Sequence, residues 1–190
     1  MTFTERLQCG KTAESAIAQW FMRRGFPVLP VYELLLDRGK GPQLFTCDGG
    51  LIAPDMIAFA KRIIWVEAKH KDAFTWWGKG QVYETGIDLR HYVDYQHVAK
   101  STNLPLWILF LQRGGVATYS GGSPPPKELS PTGLFGNEIN KLAANESHRS
   151  DRWANGMVYW SRESDGGALL KLAELHEVLG QPPVVVDVAF

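Results

Sequence analysis

The spacing of apolar positions changes several times along the chain. From Lys11 to Arg24 (KTAESAIAQWFMRR) apolar residues recur at helical intervals, with Ile17, Trp20 and Phe21 along one stripe. This predicts a helix with Thr12 as N-cap, Glu14 in the first turn and Gly25 as its stop. Val28–Leu36 (VLPVYELLL) reads as a strand interrupted by Pro30. Leu51–Ala60 (LIAPDMIAFA) and Ile63–Lys69 (IIWVEAK) are rich in β-branched, aromatic and small apolar residues, and only Lys61 and Arg62 part their apolar runs. His70–Gly86 mixes polar, aromatic and glycine residues and reads as loop rather than element. Ile87–Lys100 predicts a second helix, with Leu89, Tyr92, Val93 and Gln96 near one face. Pro105–Leu111 (PLWILFL) is a continuous apolar run bounded by turn signals, hence a buried strand.

Residues 121–131 (GGSPPPKELSP) form a Pro- and Gly-rich connector. It divides a core at 1–120 from an extension at 132–190 that packs on the core or mediates self-association. Within the extension, Asn137–His148 and Ala168–Leu179 predict helices and Met157–Trp160 a strand.

The chemistry lies in the two runs around Lys61. A three-residue loop, Ala60 to Arg62, sets Phe59 opposite Ile63 and therefore Asp55 opposite Glu67. Side chains alternate faces along a strand, so Asp55, Glu67 and Lys69 share one face. Opposed residues stand about 4.5–5.5 Å apart at Cβ, close enough for both carboxylates to touch one cation. A two-residue loop would throw Asp55 to the other face. Two carboxylates this close raise each other's pKa unless positive charge compensates. Lys69 supplies one such charge, and a hard divalent ion, which prefers oxygen ligands, would supply the rest.

The order of a helix with Glu14, a strand, a strand with Pro54-Asp55 and a strand with Glu67-Ala68-Lys69 resembles the PD-(D/E)xK nuclease superfamily, between Lys11 and Gln112. The layout is similar to its Holliday-junction-resolvase-like and phage-type members. The resemblance implies an α/β fold with a mixed central sheet flanked by helices, the restriction-endonuclease-like core. It implies Asp55, Glu67, Lys69 and Glu14 as catalytic residues. It also implies Mg²⁺ or Mn²⁺ held by Asp55, Glu67, Glu14 and the Ala68 carbonyl, and cleavage leaving a 5′-phosphate. Nucleases of this superfamily often carry a Gln or Tyr on the helix after the Glu-x-Lys strand. Gln96 and Tyr92 are the positions considered, although their spacing departs from Gln-x-x-x-Tyr. Lys11, Lys71 and Lys79 complete the expected DNA contacts; Trp76 and Trp77 either wedge against DNA or form a hydrophobic lid or dimer contact, and Trp153, Tyr159 and Trp160 either stack bases or belong to the core.

Composition narrows this picture. At 190 residues and 45% hydrophobic, the chain can bury one sizeable core. Two cysteines, Cys9 and Cys47, without close Cys or His spacing argue against a disulfide scaffold or zinc site, so a reducing cytoplasm is expected. No apolar run suits a membrane span. Formal net charge is zero, but residues 1–120 hold fourteen Lys and Arg against eleven Asp and Glu, while 121–190 hold six against nine. The basic surplus therefore sits with the proposed nuclease core, while overall neutrality argues for modest, salt-sensitive affinity for DNA, branched or duplex. A homodimer would let two strands be cut. Gly10-Lys11-Thr12 mimics the end of a phosphate-binding loop, yet Glu5 stands where its first glycine belongs. Two other readings fit the same residues: a nuclease-like module that binds DNA without cutting it, and a phage-type structural protein in which the motif is coincidental.

Overall fold

The computed structural model describes residues 3–31, 42–47, 49–151, 155–162 and 168–180. The first helix, α1 (Phe3–Met22), starts well before the predicted Lys11. A lone glycine at position 10 costs a helix only about 1 kcal/mol and does not stop it. Thr12 is therefore not an N-cap, Glu14 lies in the helix interior, and Gly10-Lys11-Thr12 is helical rather than a phosphate loop. Gly25, at φ +78°, closes the helix with its N–H on the Met22 carbonyl.

Strand β1 (Val28–Pro30) follows, and Pro30 is tolerated because β1 is an edge strand. The predicted continuation over 32–36 lies outside the described residues. Strands β2 (Gln43–Thr46) and β3 (Gly49–Ile52) form a separate hairpin. The predicted single strand Leu51–Ala60 is thus split. Leu51 and Ile52 end β3, and Met56–Phe59 form β4, with a break at Ala53–Asp55. Pro54 lacks the N–H that a continuous ladder requires. Strand β5 (Ile63–Lys71) pairs with β4 in the expected register, Phe59 opposite Ile63 and Met56 opposite Val66.

His70–Gly86 is not loop. It supplies the end of β5, then β6 (Thr75–Gly78) and most of β7 (Val82–Asp88), an antiparallel pair. Gly86 marks a close approach rather than a turn, since a Cβ there would lie 2.3 Å from the Val158 carbonyl oxygen. Helix α2 (Leu89–Thr102) is N-capped by Asp88, whose Oδ1 accepts from the Arg90 N–H at 2.9 Å. Its buried residues are Tyr92, Tyr95 and Val98, whereas Val93 is exposed, so its inner face is rotated from the predicted one. Strand β8 (Leu106–Gln112) matches the predicted apolar run.

Strand β9 (Thr118–Gly122) spans the boundary drawn at 120, and the Pro-rich segment follows it. Beyond come β10 (Gly133–Glu138), the short α3 (Ile139–Ala144), β11 (His148–Ser150), β12 (Met157–Ser161), β13 (Leu170–Lys171) and α4 (Leu172–Leu179). The two predicted C-terminal helices are therefore shorter, each giving up residues to a neighbouring strand.

One sheet has the order β1-β4-β5-β8-β10-β13, mixed because β5 and β8 run parallel. A second has the order β11-β12-β7-β6-β9. Residues after the connector thus extend both sheets. The first sheet is buried on both sides. Ile64, Val66 and Ala68 of β5 face a cluster with Ile17 and Phe21 of α1 and Leu175 of α4. Trp65 faces the opposite cluster with Tyr95, Val98 and Trp160. Period-two alternation then puts Glu67 and Lys69 on the α2 side. No helix among the described residues is long and apolar enough to cross a membrane.

Candidate active site

Asp55 sits in the bend between β3 and β4, one position beyond the last Met56–Val66 pair of the ladder. Its Oδ2 accepts the Ala68 N–H at 2.7 Å, so the acid takes the place of the strand partner that β4 no longer provides. In an extended strand a residue's N–H and C=O leave by the same edge, so the Ala68 carbonyl also points toward the Asp55 side. Glu67 is 2% exposed. Its Oε1 pairs with the Lys69 ammonium, while its buried Oε2 closes no hydrogen bond among the described residues. A buried carboxylate oxygen without a partner is costly and marks where a donor or cation belongs.

Charges explain the titration of the group. Burial, then repulsion from Glu67, pushes the Asp55 carboxyl up to about 8, against the pull of Lys69 and the Ala68 N–H. Burial and Glu67 also raise Glu14, with Lys69 and Lys11 opposing. Burial by itself would lower Lys69, but the facing carboxylates of Glu67, Asp55 and Glu14 outweigh it and hold the ammonium protonated. With both ionised, the Asp55 and Glu67 carboxylates face the single Lys69 ammonium, a negative surplus that favours a cation. Hard oxygen donors and an orphaned Oε2 fit Mg²⁺ or Mn²⁺. Among the described residues no three His, Cys, Asp or Glu side chains converge to form a cage, so Glu14 stands off as an electrostatic neighbour. The ligands available from the chain are Asp55, Glu67 and the Ala68 carbonyl, and Mg²⁺ commonly keeps several waters besides.

Two residues of the site escaped the sequence reading. Tyr95 lies on the inner face of α2 with its hydroxyl toward Glu67, and burial followed by that carboxylate holds its pKa well above the ordinary value. His91, one turn earlier, has its ring 6.2 Å from the Tyr95 ring. Burial and the Lys69 charge lower its pKa, with Asp88, Glu67 and Asp94 opposing. His91 and Tyr95 carry the spacing of Gln-x-x-x-Tyr with His in the place of Gln, and that spacing was the signal available.

The expected DNA contacts separate. Lys71 shares the face of Lys69, and burial together with the Lys69 charge lowers its pKa to about 8. Lys11 is exposed on α1 next to Glu14, and Lys79 is exposed in the β6–β7 turn. Tyr92 is no DNA contact, because it is fully buried with its ring edge on Trp160. Gln96 turns to the other flank of α2 and lines a cleft with Ile63 and Lys100. Trp76 and Trp160 are core residues, donating to the Ser123 and Leu142 carbonyls. Trp77 and Tyr159 both stack on His148, at 5.1 and 4.8 Å between ring centres, over the buried Glu84. Those rings spend stacking surface on His148 rather than offering it to a base. Trp153 lies outside the described residues.

No protein-family model and no curated protein matches the chain. Among solved structures the chain is similar to Hjc, a Holliday junction resolvase from the archaeal hyperthermophile Archaeoglobus fulgidus. The two share 10% identity over 87% of this chain and 93% of that one, with a TM-score of 0.50. Likeness at this identity speaks for fold. The chain thus has a restriction-endonuclease-like α/β fold: a mixed sheet between helices, with Asp55, Glu67 and Lys69 brought together where β4 gives way beside β5.

Proposed function

We propose that the chain is a divalent-metal-dependent nuclease of the PD-(D/E)xK type that hydrolyses phosphodiester bonds in DNA. The observation that carries this reading is the buried Glu67 carboxylate, clamped by Lys69 on one oxygen and left open on the other, beside Asp55 held by the Ala68 N–H. When bound by Asp55, Glu67 and the Ala68 carbonyl, a divalent ion would lower the pKa of a water and stabilise charge on the phosphate. Lys69, kept protonated by its carboxylate neighbours, orients the attacking water or donates to the phosphate oxygens as charge develops there. Glu67 fixes that ammonium in place, and the Ala68 N–H fixes Asp55. Likeness to a Holliday junction resolvase supports branched DNA as the substrate class, which two copies of the chain would cut symmetrically.

Incubation with four-way, flapped, duplex and single-stranded DNAs tests this reading. Cleavage should appear with Mg²⁺ or Mn²⁺, stop with chelator, prefer a branched substrate and leave 5′-phosphate ends. Intact DNA across the whole panel with both metals would sink it.

Tyr95, its hydroxyl toward the Glu67 carboxylate, is a positioning residue for that acid. Tyr95→Phe should raise the Mn²⁺ concentration for half-maximal cleavage by about 10–100-fold, the usual cost of losing an outer partner of a metal ligand. A purely structural tyrosine would instead lower the rate at saturating metal and leave that midpoint unmoved.

A further inference from the structure

On the same side of the first sheet, beside the C-terminal half of α2, lies a cleft of about 830 Å³. Its size suits a small ligand, since such sites run to about 300–1,000 Å³. The floor is apolar. Ile63, the first residue of β5, is 44% exposed there although the rest of that strand's apolar residues are buried, and Pro105 lies beside it. One wall is fixed, because Glu138 accepts from both Arg62 and Asn140 at 3.2 Å. The opposite wall is uncommitted. Among the described residues the side chains of Gln96, Lys100 and Asn103 have no hydrogen-bond or ionic partner, yet all three line the cleft.

Free amides and an ammonium around an exposed apolar floor match a flat heterocycle carrying an anionic group. Amide side chains satisfy the donor and acceptor edge of a base, as Asn and Gln do with adenine, and an ammonium takes a phosphate as a point charge. We propose that this cleft binds an unpaired nucleotide, with the base on Ile63 and Pro105, its edge toward Gln96 and Asn103, and the phosphate at Lys100. Choosing a nucleotide over other planar anions rests on the nuclease reading. Ile63 and Glu67 share a face of β5 four residues apart, about 13 Å at 3.3 Å per residue, so the cleft is separate from the acids. The nucleotide is either free in solution or an unpaired residue within a strand.

Calorimetric titration of the full chain in chelator tests the cleft independently of cleavage. Deoxyadenosine monophosphate should bind, inorganic phosphate and deoxyribose 5-phosphate should bind at least about tenfold more weakly, and Gln96→Ala with Lys100→Ala should weaken the nucleotide about tenfold or more. Asn103 has φ +52°, so Asn103→Gly removes its amide without straining the backbone. A duplex with one unpaired adenosine, compared with its fully paired counterpart, distinguishes a strand residue from a free nucleotide. Absence of nucleotide binding at millimolar concentration, or equal binding by the double variant, overturns the proposal. Such a failure leaves the nuclease reading standing, whereas nucleotide binding without any cleavage sinks the nuclease reading and leaves the cleft.

Discussion

Asp55→Ala and Glu67→Ala should each abolish divalent-dependent DNA cleavage, and Lys69→Ala should cut it steeply, for different reasons. Losing either carboxylate removes a ligand from a set that offers only two and one carbonyl, so both variants should also lose metal uptake by calorimetry. Lys69→Ala keeps the ligands and should still take up Mn²⁺. Its rate should fall by roughly 10²–10³-fold, the scale of removing one donor to developing transition-state charge. Asp55→Ala also leaves the Ala68 N–H without its 2.7 Å acceptor, which costs about 1–3 kcal/mol if the group stays buried. Asp55→Asn and Glu67→Gln keep the shape and polarity, so their inactivity would not reflect collapse of the fold. Cleavage persisting in any two of the alanine variants would refute the assignment.

The acids were legible because a single geometric choice fixed them. Once the loop after Phe59 has three residues, the register follows, and Phe59 does face Ile63. What the apolar run Leu51–Ala60 did not reveal is that Pro54 delays the start of β4, so that Asp55 leaves a bend and binds the Ala68 N–H directly. The break matters chemically, because an acid inside the ladder would not replace a missing strand partner. Glu14, expected in the first turn, lies in the helix interior because the helix begins at Phe3. An interior glutamate gains little from the dipole, which acts mainly within the first turn.

Other features depended on tertiary partners. Along Ile87–Lys100 two stripes share Tyr92, one running to Val93 and Gln96 and the other to Tyr95 and Val98. Local periodicity does not choose between them, but the sheet beneath α2 does, and it takes Tyr95 toward Glu67. His70–Gly86 looked like loop because glycine weakens any strand signal. Gly86 is there because the neighbouring strand and the Tyr159 ring lie too close for a side chain. Crowding of that kind is set by residues some seventy positions away.

Without metal, the protein should lose stability as pH rises from about 5 to 8, and Asp55→Asn should remove much of that loss. Asp55 has an ordinary pKa of 3.8 and about 8 in the folded protein. Between those values the folded state holds a proton that the unfolded state has released, so stability falls with rising pH and levels off above about 8. A displacement of that size corresponds to on the order of 5 kcal/mol, trimmed to a few kcal/mol because Asp55 is not wholly enclosed. Glu14, raised by the same neighbours, works in the same sense, so only the difference between wild type and Asp55→Asn isolates Asp55. Above pH 8 the lowered Lys71 acts oppositely, because the unfolded chain then binds the extra proton and stability recovers. The test therefore belongs below pH 8. In chelator at that pH, Asp55→Asn should melt about 5–10 °C above wild type. Added Mg²⁺ or Mn²⁺ should raise the wild-type midpoint and leave the variant nearly unmoved, since the ion neutralises the repulsion that the substitution has already removed. A variant no more stable than wild type in chelator would mean that Asp55 carries no such strain, and that the paired carboxylates do not by themselves call for a cation.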